Sequence, residues 1–383
     1  MTRKQLLILL AALAALAIVG AWIAQSQRTA WKAADPRVGQ RLVPDIKLED
    51  IAELALRDAS ATLTLVRREG SWLVKERAEF PADGERVREL LVKLAELKIV
   101  QAEPVAEAQR ARLDLAEPSG PATSGAGTVF ELRDGSGKSM ARLLLGKTVT
   151  AKTSGAGPSP EQGTPTGRYL MSGTDTASVS LVSDPLETAQ AKAESWLSKD
   201  LIRVEGTRTV IATGPDGRQR FSLSRGSESL DWKLAGGEKP DLQKAQDVVS
   251  PLQGMSLADV VPDPAVAGTG LDRPVIFKVL TFDGLTYTLR IGNKTADDRF
   301  YLAFSVSGEP PAKRAAAKGE AAEERDRQDK AYAEQRARLM EKLEREKKLE
   351  HWTYLVARPG IEGMLRDRAQ LLPDKKPKVG KKS

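Results

Sequence analysis

Cysteine is absent from the 383 residues. That excludes disulfides, thiol catalysis, zinc–thiolate centres and a lipid-modified N-terminal cysteine. It leaves the compartment open, since secreted chains often use disulfides but do not need them. Histidine occurs once, at His351, and asparagine once, at Asn293. One imidazole cannot build a histidine-rich metal site, and a Ser-His-Asp triad would need His351 in a pocket rather than at the edge of a charged stretch. The single sequon, Asn293-Lys294-Thr295, reads as an accident of a strand end in an Ala-, Arg- and Gly-rich chain of bacterial character. Aromatic residues make up only 5%, so Leu, Val, Ile and Ala must fill the core.

Chemical signatures are equally scarce. The chain holds no Gly-x-Ser-x-Gly elbow, His-Glu-x-x-His pair, EF-hand loop or Gly-x-Gly-x-x-Gly fingerprint. Gly137-Lys138-Ser139 and Gly146-Lys147-Thr148 imitate the end of a phosphate loop. The glycine that must stand five residues earlier is replaced by Leu132 and Ala141, and both fragments fall on a hairpin instead of a strand–helix turn. No catalytic, cofactor-binding or metal-ligating residue is therefore expected. Carboxylates are plentiful but nothing selects a pair, so an envelope hydrolase is a third-ranked reading.

No sign of charge dominates. The 59 basic and 52 acidic residues are interspersed, and their net of +7 does not form the stripe of a nucleic-acid binder. The clearest uncompensated cluster is the tail, Lys375, Lys376, Lys378, Lys381 and Lys382. It reads as a solvated end or as a contact with anionic lipid.

Only one long apolar run is present. Leu6–Ala24 carries no charge and follows Arg3 and Lys4. About 20 such residues span a bilayer core, whereas a signal peptide has a shorter apolar stretch of about 7–15. The expectation is a retained inner-membrane anchor over 6–24 in contact with lipid, with residues 1–5 in the cytoplasm and the body periplasmic. Cleavage near Ala24-Gln25-Ser26 is the alternative.

Beyond a polar linker at 25–45, the chain states one pattern twice. Trp72-Leu-Val, Phe80-Pro81-Ala82-Asp83 and the apolar series Val87, Leu90, Leu91, Leu94, Leu97 match Trp232-Lys-Leu, Lys239-Pro240-Asp241 and Ala245, Val248, Val249, Leu252, Met255. Asp83 and Asp241 stand 158 residues apart, as do the members of the apolar series. Steps of three and four predict an amphipathic helix opening after each Asp, which serves as its N-cap more readily than as a catalytic acid. Trp72 and Trp232 are read as core plugs of their own repeats, with a ligand-stacking pair as the alternative.

Short strands are predicted at Ile51–Leu56, Thr62–Val66 and Ser71–Val74, and again at Thr209–Ala212, Phe221–Ser224 and Trp232–Leu234. A Leu113-Asp114…Pro118 turn and its counterpart Leu271-Asp272…Pro274 precede hairpins that close on Leu143–Gly146 and Leu289–Gly292. The glycines are expected to end those strands where the backbone turns. Residues 150–167 read as loop, Tyr169, Val179–Val182 and Phe300–Val306 as strand, and Pro185–Trp196 as a helix joining the halves. The fold expected is α+β: two tandem copies, at 46–198 and 199–311, of a mainly antiparallel sheet packed on amphipathic helices, behind one transmembrane helix.

The stretch at 312–350 has no counterpart. It carries 22 charged residues in 39 and a thin apolar stripe of Tyr332, Leu339 and Leu343. A long helix is predicted, either a solvated insertion or a docking arm for a membrane-protein partner. Trp352–Val356 then returns to strand and Ile361–Leu371 to a short helix, completing the second repeat at 351–372 before the basic tail at 373–383.

The Trp-x-(Val/Leu) strand, the Pro-Ala-Asp helix start, the Leu-Asp…Pro turn, the Leu-x-(Leu/Ile)-Gly hairpin and the aromatic Tyr strand occur in that order from Trp72 to Tyr169 and again from Trp232 to Tyr301. With the N-terminal anchor, this order resembles the uncharacterised bacterial family known as domain of unknown function 4340. The resemblance implies a membrane-tethered, extracytoplasmic protein with an accessory role beside an ABC transporter of the gliding-motility type. It carries no catalytic residues and no cofactor. Two readings follow: a non-catalytic scaffold contacting transporter subunits, with 312–350 as the candidate contact, and a ligand-binding module with a site between the repeats.

Overall fold

A computed structural model of the chain describes residues 35–374 apart from 45, 122, 152–163, 174, 200, 264–267 and 315–319. The expected anchor at 6–24 and the lysine tail lie outside the described residues. Among those described, no helix is long and apolar enough to cross a membrane.

In chain order the elements are β1 (Ile51–Arg57), β2 (Thr62–Arg68), β3 (Ser71–Val74), β4 (Phe80–Pro81), α1 (Gly84–Glu96), β5 (Ile99–Pro104), the single-turn α2 (Glu107–Arg110), β6 (Thr128–Asp134), β7 (Ser139–Ala151), β8 (Thr164–Ser172) and β9 (Asp175–Val182). There follow β10 (Thr207–Thr213), β11 (Gln219–Ser224), β12 (Lys233–Leu234), α3 (Leu242–Val249), β13 (Leu257–Val260), β14 (Val275–Thr281), β15 (Leu285–Lys294), β16 (Arg299–Gly308), α4 (Ala322–Lys347) and β17 (Tyr354–Ala357). The protein is α+β, with two mainly antiparallel sheets. One has the strand order β4-β3-β2-β1-β6-β7-β8-β9-β5 and the other β12-β11-β10-β14-β15-β16-β17-β13. Apart from β4, the two orders correspond strand for strand. By its contacts the chain divides into two compact units, one of residues up to 62 with 88–191, the other of 63–87 with 192 onward.

Local chemistry accounts for the repeated elements. Glu69 and Gly70, both at positive φ, turn β2 into β3, as a tight hairpin with the strands' twist requires. At the start of α1 the Asp83 carboxylate accepts from the Arg86 N–H at 3.1 Å. At the start of α3, Asp241 accepts from Gln243 and Lys244 at 3.0 and 3.1 Å. Both predicted caps are therefore formed. The apolar series is buried in both copies, from Val87 to Leu97 and from Ala245 to Met255, although α3 ends at Val249 and leaves Leu252 in a 3-10 turn and Met255 beyond it. A further equivalence was not predicted: the N–H of each capping Asp donates to a carbonyl of a later segment, Asp83 to Trp196 O at 2.7 Å and Asp241 to Leu371 O at 2.8 Å.

Several expectations are corrected. Pro185–Trp196 is irregular except for a 3-10 turn at Ala193–Ser195; its proline and many small residues never establish a helical apolar stripe. Ile361–Leu371 is two short 3-10 turns, Glu362–Leu365 and Arg368–Leu371, not one helix. Gly146 and Gly292 do not end their strands, which run on to Ala151 and Lys294. They lie where another backbone comes close: a Cβ would meet Leu113 O at 2.4 Å in the first case and Thr269 O at 2.1 Å in the second. Accordingly part of the expected 150–167 loop is strand, in β7 and β8. Trp72 is only half-buried, so Val74 and not Trp72 plugs the core in that strand. Trp232 is buried as expected, with the Arg225 guanidinium 4.7 Å from its ring centroid. Edge strands β5 and β13 were not predicted; charge and proline mask them in sequence.

Candidate functional site

The singled-out residues do not converge. His351 is exposed and lies against the Trp352 ring, with centroids 3.6 Å apart. Gly137 sits at positive φ in the β6–β7 turn and Gly146 lies inside β7; neither fragment joins a strand to a helix. Asp83 and Asp241 are engaged as caps. Among the described residues no group of three or more His, Asp or Glu side chains is placed to hold a metal ion.

What the structure does assemble is the root of the charged helix. Helix α4 is 26 residues long and is inserted between β16 and β17. In the first sheet only residues 173 and 174 separate the corresponding strands, β8 and β9. Only Leu343 and Glu346 of α4 are buried. The other fasteners are polar. Tyr287 Oη donates to Glu346 Oε2 at 2.7 Å, and the Arg203 N–H approaches Oε1 at 3.4 Å. Lys342 Nζ donates to Arg203 O at 2.5 Å. Just beyond the helix the Val306 N–H donates to Glu350 Oε1 at 2.7 Å. Midway along it, Tyr332 Oη donates to Pro311 O at 2.8 Å and Arg336 Nε to Pro310 O at 3.2 Å. Burial pushes the Glu346 carboxyl above the usual carboxylate range, against the lowering effect of the Tyr287 hydrogen bond and of Lys342 and Arg345. Burial together with the Glu346 charge raises the Tyr287 phenol, so it stays a donor. The first three turns of α4 are almost wholly exposed; Arg327 pairs locally with Glu324, and Asp329 pairs with Arg314 of the preceding segment at 2.6 Å.

Beside this root lies a cleft of about 690 Å³. Phe80 and Pro81, from the first sequence repeat, line it together with Lys199, Arg203, Glu205 and Met255 and with Lys342, Arg345 and Glu346 of α4. All of these belong to the second contact unit. Its volume falls in the range of small-molecule sites. Sequence reasoning missed Glu346 and Tyr287 because 59 residues separate them and each looks ordinary in its own element. The only signal in the sequence was a glutamate following Leu343 on the same face of an otherwise solvated helix.

A family model described as "Domain of unknown function (DUF4340)" matches residues 72–274, more than half of the chain. The match opens on Trp72 and closes on Pro274, so it covers the first copy of the repeated pattern and the second copy up to its Leu-Asp…Pro turn. No curated protein and no solved structure matches the chain.

Proposed function

The chain belongs to the DUF4340 family, and from that premise we propose that it is a non-catalytic accessory protein, tethered by residues 6–24 to the bacterial inner membrane with its body outside the cytoplasm. Its two sheets act as tandem copies of one α+β unit packed on amphipathic helices, and α4 is the arm by which it engages an ABC-transporter or other envelope partner. The observation that carries this reading is the asymmetry of α4. Its C-terminal half is fastened to its own unit by buried Leu343 and Glu346 and by Lys342, while its N-terminal turns are largely exposed and meet the preceding segment through the Arg314–Asp329 pair. A helix polar on nearly all sides is held in water by local side-chain pairs and stays open to a partner.

The test is a mild-detergent pull-down of tagged full-chain protein from its native membrane. The comparison variant lacks residues 324–330. Seven residues are close to two helical turns, so Tyr332, Leu339 and Leu343 keep their facing while the arm shortens by about 10 Å. Recovery of transporter subunits with the wild type and their loss with the shortened helix is the expected result. Recovery of the bait alone would sink the scaffold role.

A further inference from the structure

We propose that the cleft beside the root of α4 binds an anion bearing two or more phosphate-type oxyanion groups. Four cationic side chains line it: Lys199, Arg203, Lys342 and Arg345. Several arginines elsewhere meet carboxylates at bonding distance, for example Arg77 with Asp259, Arg133 with Glu53, Arg220 with Asp367 and Arg366 with Asp247. The cations of the cleft do not. Lys342 Nζ is held by a carbonyl, Arg203 O at 2.5 Å, and its carboxylate neighbour Glu205 is 3.8 Å away. Lys199 Nζ is likewise held by the carbonyls of Glu194 and Leu257, at 3.2 and 3.5 Å. Among the described residues the guanidinium groups of Arg203 and Arg345 have no ion-pair partner.

Carbonyl oxygens hold an ammonium group without neutralising it, and the carboxylate beside Lys342, Glu205, reaches it only at 3.8 Å, so both ammonium groups keep positive charge at the cleft. Two planar guanidinium groups with open forks add the donors that suit phosphate bidentately. Two carboxylates also line the cleft: Glu346 faces Tyr287 and the Arg203 N–H with its two oxygens, and Glu205 lies 3.8 Å from Lys342. With four cations and two carboxylates in the lining, an apolar ligand would leave the excess positive charge uncompensated, and a cation would meet it head-on. A doubly or triply charged phosphate compound meets both demands, whether free in the compartment or displayed as a lipid headgroup. This inference stands apart from the docking role of the helix tip, because it uses only the root of α4 with Lys199 and Arg203.

The experiment is calorimetric titration of full-chain protein in non-ionic detergent at 0.15 M salt. Inorganic pyrophosphate is the first probe and mixed micelles of phosphatidylglycerol, set against phosphatidylcholine, the second. The test variant is Arg203→Gln/Arg345→Gln; the control is Arg218→Gln, an exposed arginine outside the cleft. Both variants are first checked for wild-type thermal unfolding, and Arg345→Gln alone replaces the double variant if the latter unfolds early. Saturable pyrophosphate binding, weakened at least tenfold in the test variant and unchanged in the control, assigns the cleft to a free anion. Binding only to the phosphatidylglycerol micelles with the same variant dependence assigns it to a lipid headgroup. Absence of saturable binding to either probe, or equal binding by wild type and test variant, overturns the proposal.

Discussion

Gly146 and Gly292 stand within strands β7 and β15, and at both a side chain would collide with the carbonyl of a passing segment. The neighbour is backbone and cannot swing aside. Gly292→Ala is therefore expected to cost about 2–3 kcal/mol, the upper part of the range for overpacking. At Gly84, the first position of α1, an added Cβ would meet nothing within 4 Å, and Gly84→Ala should stabilise by about 0.5 kcal/mol through the unfolded chain. Urea denaturation of the pair checks both signs at once. Glu346 gives a second residue-scale prediction. Its folded carboxyl lies above the ordinary range because of burial, so the native state retains a proton there that the unfolded chain has released. Its contribution to stability is complete below the ordinary carboxylate range and is lost as pH rises through the raised value. Glu346→Gln removes that dependence. Plotted against pH upward from the ordinary carboxylate range, the difference in unfolding midpoint between variant and wild type should shift in favour of the variant; a flat difference would mean that the site is not set by burial.

At the scale of the element, caps and insertion differ in what they control. The Asp241 carboxylate accepts from the Gln243 and Lys244 N–H groups and that of Asp83 from the Arg86 N–H, so Asp241→Ala and Asp83→Ala are each expected to cost about 1–2 kcal/mol. Thermal unfolding of the single variants measures both losses. These helices were legible in sequence because the cap, the apolar period and the preceding proline all point the same way. The long helix was legible too, from its uninterrupted charge and absence of Gly after Gly319. What could not be read was that its last turns are fastened by hydrogen bonds to Tyr287 and Val306, since a buried glutamate and a solvated one look alike in a run of charges. The glycines misled for a similar reason. A residue that ends a strand and a residue over which another backbone passes are both glycine, and only the tertiary path of the Leu113 and Thr269 segments separates the two cases. Strands β5 and β13 hid because edge strands carry the charge and proline that otherwise mark loops.

Over the whole molecule, the sequence repeat and the contact unit divide the chain differently. Residues 63–87 lie in the first repeat by pattern, yet they belong by contact to the unit that contains 192 onward. Inside that unit Phe80 meets Tyr354 and Trp352 edge-on, with centroids 6.0 and 5.0 Å apart, and Trp352 Nε1 donates to Ala78 O at 2.9 Å. Arg77 grips the buried Asp259 with two bonds, of 2.6 and 3.0 Å. Arg77→Ala would leave that carboxylate with only the Val260 N–H at 2.8 Å and Arg299 at 3.9 Å. The expected loss is about 3 kcal/mol, as for other broken buried pairs, while Arg77→Met/Asp259→Leu should lose much less because it removes the unpaired charge. A double-mutant cycle by urea denaturation measures the coupling. The same contacts predict how the chain tolerates division. A fragment of residues 199–383 keeps every strand of the second sheet but lacks Phe80 over Tyr354 and Arg77 over Asp259. It should bind the dye ANS and unfold at a lower temperature than residues 46–383, which hold both. Equal midpoints and no dye binding would show that the second repeat folds without the segment its contacts include.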